Sequence, residues 1–210
     1  MSTFEGMFRD RSVALVGPSR SIVGSGEGAA IESFDLVARM NFQWPVPDHL
    51  VPDVGRRMDV LFHCCNQDFP ASWFARADFA DTRIAFYENG REAPVLTTIC
   101  QELGVPAIDI TNLYATLLQE LGAFPSTGLV AIAQLLSLPI RTLKIFGMTF
   151  WREPYYDGYF GHGAAPENWD GDSSADTIWR HDPKREFQFF VARFCPDPRL
   201  MMDSRLANLL

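Results

Sequence analysis

Between residues 12 and 147 the chain keeps switching between two hydrophobic patterns. Runs of four to six residues, apolar almost throughout, alternate with stretches that carry turn residues or helical spacing. Runs this short and this apolar suit strands buried on both faces, which parallel sheets provide. Parallel strands need crossover connections, and helix-length segments between the runs supply them. The predicted strands are 12–17 (SVALVG), 36–40 (LVARM), 58–63 (MDVLFH), 83–87 (RIAFY), 107–110 (AIDI) and 142–147 (TLKIFG). Helical segments are predicted at 29–34, 113–121 and 128–138 (GLVAIAQLLSL); the last is apolar around nearly its whole circumference, which predicts a buried helix. Over 183–194, Phe187, Phe190, Val191 and Phe194 recur at i, i+3, i+4 and i+7, an amphipathic helix. The tail, 196–210, is expected to hold one short amphipathic helix packed on its own domain. The predicted fold class is α/β: a single domain over 1–210 with a mostly parallel sheet flanked by helices.

Size and charge narrow the function. A chain of 210 residues is one domain at roughly 100–200 residues per domain. Eighteen Lys and Arg against 26 Asp and Glu leave a net charge of −8. A protein that coats nucleic acid usually carries a basic face, so the charge argues against that class, whereas a small anionic ligand needs only local positive potential. No apolar run approaches the roughly 18 residues of a membrane span, and residues 1–11 are too polar for a signal peptide. Cys64 and Cys65 are adjacent, Cys100 and Cys195 stand apart, and there is no CxxC. Neither a disulfide framework nor a structural zinc site is expected, and a reducing cytoplasm fits.

Three places offer chemistry. Gly17-Pro18-Ser19 and the glycines of 24–28 (GSGEG) follow the first strand. Glycines there let the backbone approach a nucleotide, or simply form a tight surface loop; the spacing is not GxGxxG. Pro125-Ser126-Thr127-Gly128 opens the buried helix. Ser or Thr at such a start caps free N–H groups, and the same groups attract a phosphate or carboxylate. Third, Asp182 reads as an N-cap with Pro183 at the first helical position, placing His181 and Glu186 where the two flanks of a helix start meet. A carboxylate against the imidazole there makes a general base near neutral pH, or the two are simply a surface His and a helix-start carboxylate. Two lesser candidates are Asp170-Gly171-Asp172, a divalent-cation motif or a turn, and His63-Cys64-Cys65, a strand end or a thiol site. The segment 152–180 is a long aromatic and acidic loop, read either as an acceptor wall and lid or as core filling.

In this order the pieces resemble the sialyltransferases of glycosyltransferase family 29. Residues 13–41 (VALVGPSRSIVGSGEGAAIESFDLVARMN) are similar to the family's long first motif, with its GSG-x-G loop and closing Arg39-Met40-Asn41. Residues 125–147, with PSTG at the head and Phe146-Gly147 at the tail, resemble the second motif. Tyr155-Tyr156-Asp157 resembles the third, and His181 with Glu186 the final H-x4-E.

The resemblance implies a Rossmann-like sheet of the sialyltransferase GT-A-like variety. It also implies an inverting, metal-independent transferase with no cofactor, moving a sugar from CMP-sialic acid or CMP-Kdo to a hydroxyl of a glycan acceptor. By analogy Ser19 and Asn41 contact the nucleotide, and Ser126, Thr127 and Gly128 hold the donor's anionic groups. Tyr156 lies near the phosphate, and His181 is the base, supported by Glu186. Pro18 stands where the family commonly has Asn, and Pro154 where it has His; His162 is the candidate replacement. The animal members' cysteine pair, membrane anchor and stem have no counterpart, so a compact, cytoplasmic, bacterial-type member is expected, with at most peripheral membrane contact. Two alternatives stay open: a catalytically silent nucleotide-sugar-binding protein, and a metal-dependent transferase using Asp170 and Asp172.

Overall fold

Side chains alternate across a strand, so an apolar run can feed two cores at once. In β1 (Ser12–Val16), Val13 and Leu15 enter one hydrophobic cluster, and Ala14 and Val16 enter another on the opposite face. The same split recurs in β3 (Val60–His63) and β4 (Ile84–Tyr87), where Phe62 and Phe86 stack at 5.0 Å on the first face while Leu61 and Ala85 feed the second. The computed structural model describes residues 4–41, 45–65, 81–88, 90–157, 159 and 181–210.

With β2 (Leu36–Met40), β5 (Ala107–Asp109), β6 (Thr142–Phe146) and β7 (Leu200–Met202), these strands form one seven-stranded sheet in the order β5-β4-β3-β2-β1-β6-β7. Every pairing is parallel. The chain runs outward from β1 to β5, then crosses back to place β6 against the other edge of β1, with Val13 level with Leu143. That reversal makes a crevice at the carboxyl ends of β1 and β6, where open α/β sheets bind ligands.

Helices cover both faces. One face carries α5 (Thr111–Leu121), α6 (Thr127–Ser137) and α7 (Pro183–Arg193). The other carries α2 (Gly28–Glu32), α3 (Val51–Val54) and α4 (Ala93–Leu103); α1 (Glu5–Phe8) and α8 (Ser204–Ala207) are single turns that pack on the first face. As its composition predicts, α6 is buried nearly all round, and it lies on β2 and β3. Fully buried Arg39 in β2 donates from Nε to the Arg57 carbonyl and from Nη2 to that of Val54, tying the α3 layer to the sheet. Burial lowers its pKa to about 10, so it stays protonated.

Four elements escape the sequence pattern, the single-turn α1 among them. β7 has three residues, too few to show a period; Arg199 holds it by donating to the Leu136 and Leu138 carbonyls at the end of α6. α4 begins Ala93-Pro94 and buries only Ala93, Leu96 and Cys100, a narrow stripe. α3 is one turn.

Candidate active site

A cavity of about 770 Å³ opens over the carboxyl ends of β1, β2, β3, β4 and β6 and under the starts of α6 and α7. Its first wall is the crevice between β1 and β6. Gly17 is required there: a Cβ would sit 2.2 Å from the Met148 side chain and 2.4 Å from the Gly147 carbonyl oxygen. The close approach lets Ser19 donate its N–H to the Gly147 carbonyl at 2.8 Å. The Ser19 hydroxyl shares a 3.1 Å hydrogen bond with Thr149 and accepts one from Ser21 at 3.0 Å. Ser19, expected from the sequence, therefore lines the cavity together with Thr149, which no sequence motif signalled.

Asn41 ends β2 in the left-handed region, φ +46°, which Asn tolerates better than most residues. Its Oδ1 accepts from the Cys64 N–H at 3.0 Å, and its Nδ2 donates to Thr127 Oγ1 at 3.2 Å. It also hydrogen-bonds the buried Tyr159 hydroxyl. One side chain thus joins the ends of β2 and β3 to the start of α6.

At that start, Ser126 is the N-cap and accepts from the Leu129 N–H at 3.1 Å. Thr127 and Gly128 occupy the first helical positions, whose N–H groups have no partner within a helix. Both residues line the cavity, so it holds the positive end of an 11-residue helix. A Cβ on Gly128 would come within 2.6 Å of Met148 Cε, so a larger residue fits only if the end of that methionine side chain moves.

His181 and Glu186 both reach the cavity, but not through each other. Asp182 caps α7 as expected, accepting from the Arg185 N–H at 2.9 Å, with Pro183 at the first position. The Glu186 carboxylate turns instead to α6, where it accepts from the Ser126 N–H at 2.9 Å and from the Ser126 hydroxyl. The expected pairing of Glu186 with the imidazole is therefore replaced by a tie between two helix starts, where the Ser126 N–H and hydroxyl give each carboxyl oxygen a donor. His181 is oriented by backbone: its Nδ1 lies 2.6 Å from the Phe124 carbonyl oxygen, and its ring stacks on Trp151 at 5.4 Å. A carbonyl only accepts, so Nδ1 carries the proton and Nε2 of the neutral ring holds the lone pair. Burial lowers the imidazole pKa, which keeps that neutral form at pH 7.

The third motif lies differently from expectation. An antiparallel bridge pairs Ser19 with Tyr155, and Tyr156 donates its N–H to the Pro18 carbonyl. The Tyr156 side chain packs into the second-face cluster with Val16, Ile22 and Phe146, while Tyr155 and Tyr159 line the cavity. Burial raises the pKa of both cavity tyrosines, so their hydroxyls stay protonated and able to donate.

The glycine loop is a tight surface loop rather than a cradle. Gly24 and Gly26 donate their N–H groups to the two carboxylate oxygens of Asp53, each at 2.8 Å, and neither lines the cavity. His63 and Cys65 serve the end of β3: the Cys65 N–H donates to His63 Nδ1 at 2.9 Å. Burial lowers the His63 pKa to about 3 and pushes the Cys65 thiol up, which removes the thiolate a nucleophile would need. His162, Asp170, Asp172 and most of the 152–180 loop lie outside the described residues. Among the described residues no helix is long and apolar enough to cross a membrane, and no three His, Cys, Asp or Glu side chains gather in a group that would hold a metal.

Among the described residues, the cavity lining includes no Lys or Arg. It does include two carboxyl groups, Glu88 and Glu186, and burial raises them to about 8 and about 7. Glu88 is therefore mostly protonated at pH 7 and Glu186 about half so, and the cavity presents hydroxyls, N–H dipoles and aromatic faces with little negative charge.

The sequence matches no protein-family profile and no curated protein. Solved structures do match. A mammalian sialyltransferase superposes with a TM-score of 0.58 at 15% identity, over 92% of this chain and 68% of that one. A mammalian sialyltransferase in complex with Gal-beta-1-3GalNAc-ortho-nitrophenol superposes with a TM-score of 0.56 at 15% identity, over 92% and 69%. The sialyltransferase CstII from Campylobacter jejuni, in complex with the substrate analogue cytidine-5'-monophosphate, gives 0.53 at 13% identity, over 94% and 87%. The chain has the Rossmann-like α/β fold of sialyltransferases.

Proposed function

We propose that this protein is an inverting glycosyltransferase that moves a sialic-acid-type sugar from a CMP donor to a hydroxyl of a glycan acceptor. The observation that carries the reading is His181: neutral, with Nδ1 donating to a backbone carbonyl, and therefore with its basic nitrogen defined at the edge of a cavity built on the sialyltransferase fold. The nucleoside lies in the crevice between β1 and β6, against Ser19 and Thr149. The phosphate meets the start of α6, where Thr127, Gly128 and Asn41 converge. CMP is a good leaving group, and helix-start N–H groups with the hydroxyls of Thr127 and Tyr155 stabilise its developing charge without a metal. His181 Nε2 takes the proton of the acceptor hydroxyl as the oxygen attacks the anomeric carbon from the side opposite the phosphate, so the configuration inverts. Glu186 acts on Ser126 and through it on the helix start.

The test is CMP release from CMP-sialic acid and, separately, CMP-Kdo, in EDTA and with glycan acceptors. We expect release from one donor, and a loss of about 100-fold or more in His181→Ala with CMP affinity retained. Unchanged turnover in that variant removes His181 as the base, and loss of all activity in EDTA restores a metal. A second reading, a silent CMP-sugar-binding protein, is favoured by Pro18 and Pro154 standing where the family has Asn and His. It predicts CMP binding without His181-dependent turnover of either donor.

A further inference from the structure

Glu88 belongs to none of the motifs that brought the other cavity residues to notice. It is the first residue beyond β4, and its N–H donates to the His63 carbonyl at 3.0 Å, continuing the ladder one step past the strand. It is 5% exposed and lines the cavity with Cys64 and Tyr114. Its carboxyl group makes no hydrogen bond to any of the described residues. Glu186, the other buried carboxyl of the cavity, holds the Ser126 N–H and hydroxyl. A carboxyl group that lines the cavity and bonds to none of the described residues is available to a ligand's hydroxyls.

Position along the sheet says which part of a ligand arrives there. Neighbouring strands lie about 4.8 Å apart. The crevice is at β1 and β6, the helix start reaches β2 through Asn41 and Thr127, and Glu88 stands two strands further, about 10 Å beyond. A donor with its nucleoside in the crevice and its phosphate at the helix start directs its sugar along β3 toward β4. We propose that Glu88 is a specificity-determining residue whose carboxyl group binds the hydroxylated side chain of the transferred acidic sugar. The assignment rests on the CMP-sugar reading above. A protonated carboxyl donates one hydrogen bond and accepts others, which matches a vicinal diol, and it adds no negative charge beside an anionic sugar. Burial favours that protonated form near neutrality.

Calorimetry on the full chain separates the sugar from the nucleotide. The probes are CMP alone and a hydrolysis-resistant fluorinated CMP-sialic acid, each with wild type, Glu88→Leu and Glu88→Gln. The expected result is equal CMP affinity in all three proteins, which also reports on folding. The intact analogue should bind wild type more tightly than CMP, lose about tenfold in Glu88→Leu, and recover most of that in Glu88→Gln, which keeps a donor and an acceptor. Wild type that does not bind CMP overturns the CMP-sugar reading and the Glu88 role with it. Wild type that binds CMP while Glu88→Leu holds the analogue as wild type does overturns the Glu88 assignment alone. So does a loss in Glu88→Leu that falls equally on CMP, or an analogue that binds wild type no better than CMP.

Discussion

Asn41 shows how much one side chain can carry in this site. Its φ of +46° is unfavourable for a residue with a Cβ, and its amide answers with bonds to Cys64 and Thr127. Two substitutions separate these effects. Asn41→Ala keeps the backbone strain and loses the bonds; Asn41→Gly loses the bonds and relieves the strain. Chemical denaturation should show Asn41→Ala less stable than wild type by about 2–3 kcal/mol, and Asn41→Gly recovering about 1 kcal/mol of that. Equal stability of the two variants would mean that the left-handed geometry costs nothing here. The sequence marked Asn41, Ser19 and Ser126–Gly128 because motif spacing is a local property. It gave no sign of Thr149 or Glu88, which follow strands as ordinary polar residues and become site residues only through the sheet order. It misplaced the partner of Glu186 for the same reason: the five-residue offset to His181 is visible in the chain, and the 60-residue one to Ser126 is not.

At the scale of elements, the starts of α6 and α7 are joined by the bond between Glu186 and Ser126, and this joint is sensitive to pH. Burial raises the Glu186 pKa to about 7 from an ordinary value of 4.5, outweighing the bonds from Ser126, which lower it. Below pH 4.5 the folded and unfolded chains both hold the proton, and the full stability is present. As pH rises toward 7 the unfolded chain releases the proton and the folded one keeps it, so stability falls, and the loss is complete above the folded pKa. Thermal unfolding at pH 5 and pH 8.5 should therefore show a smaller drop in Glu186→Gln than in wild type, by about 3–6 °C. A drop as large as that of wild type would show that the carboxyl does not titrate in this range. Strong period and caps made most elements legible: β2 matches its predicted bounds, β1, β6 and α7 differ by one residue at one end, and α6 by one at each end. Elements without a period were not legible, and β7 is held by its pairing with β6 and by Arg199, which fastens its start to the carbonyls of α6.

For the molecule as a whole, the alternation of strands and helices made the parallel sheet legible, while the order of its strands had to come from the structure. That order predicts where ligand energy would enter: on the proposed reading, CMP in the crevice would bridge β1, β2 and β6. At one hundred times its dissociation constant, a ligand that binds only the folded state adds about 2.7 kcal/mol. The melting temperature should rise by about 5–11 °C with CMP, and no such rise should follow with inorganic phosphate alone at the same concentration. A rise with phosphate equal to that with CMP would mean that the crevice does not recognise the nucleoside.

The pairing of β1 with β6 also sets a schedule. Ser12 meets Thr142 across 130 residues of chain, so an interior strand of the sheet waits for most of the protein to be made. At roughly 5–20 residues per second, a ribosome leaves that edge of β1 uncovered for on the order of ten seconds. During this interval a nascent chain carries β1 through β5 as a half-sheet whose open side is Val13, Leu15 and their backbone groups, a ready template for another chain. Slow codons or a chaperone acting before residue 142 would thus influence the yield of active protein more than the same intervention after residue 146.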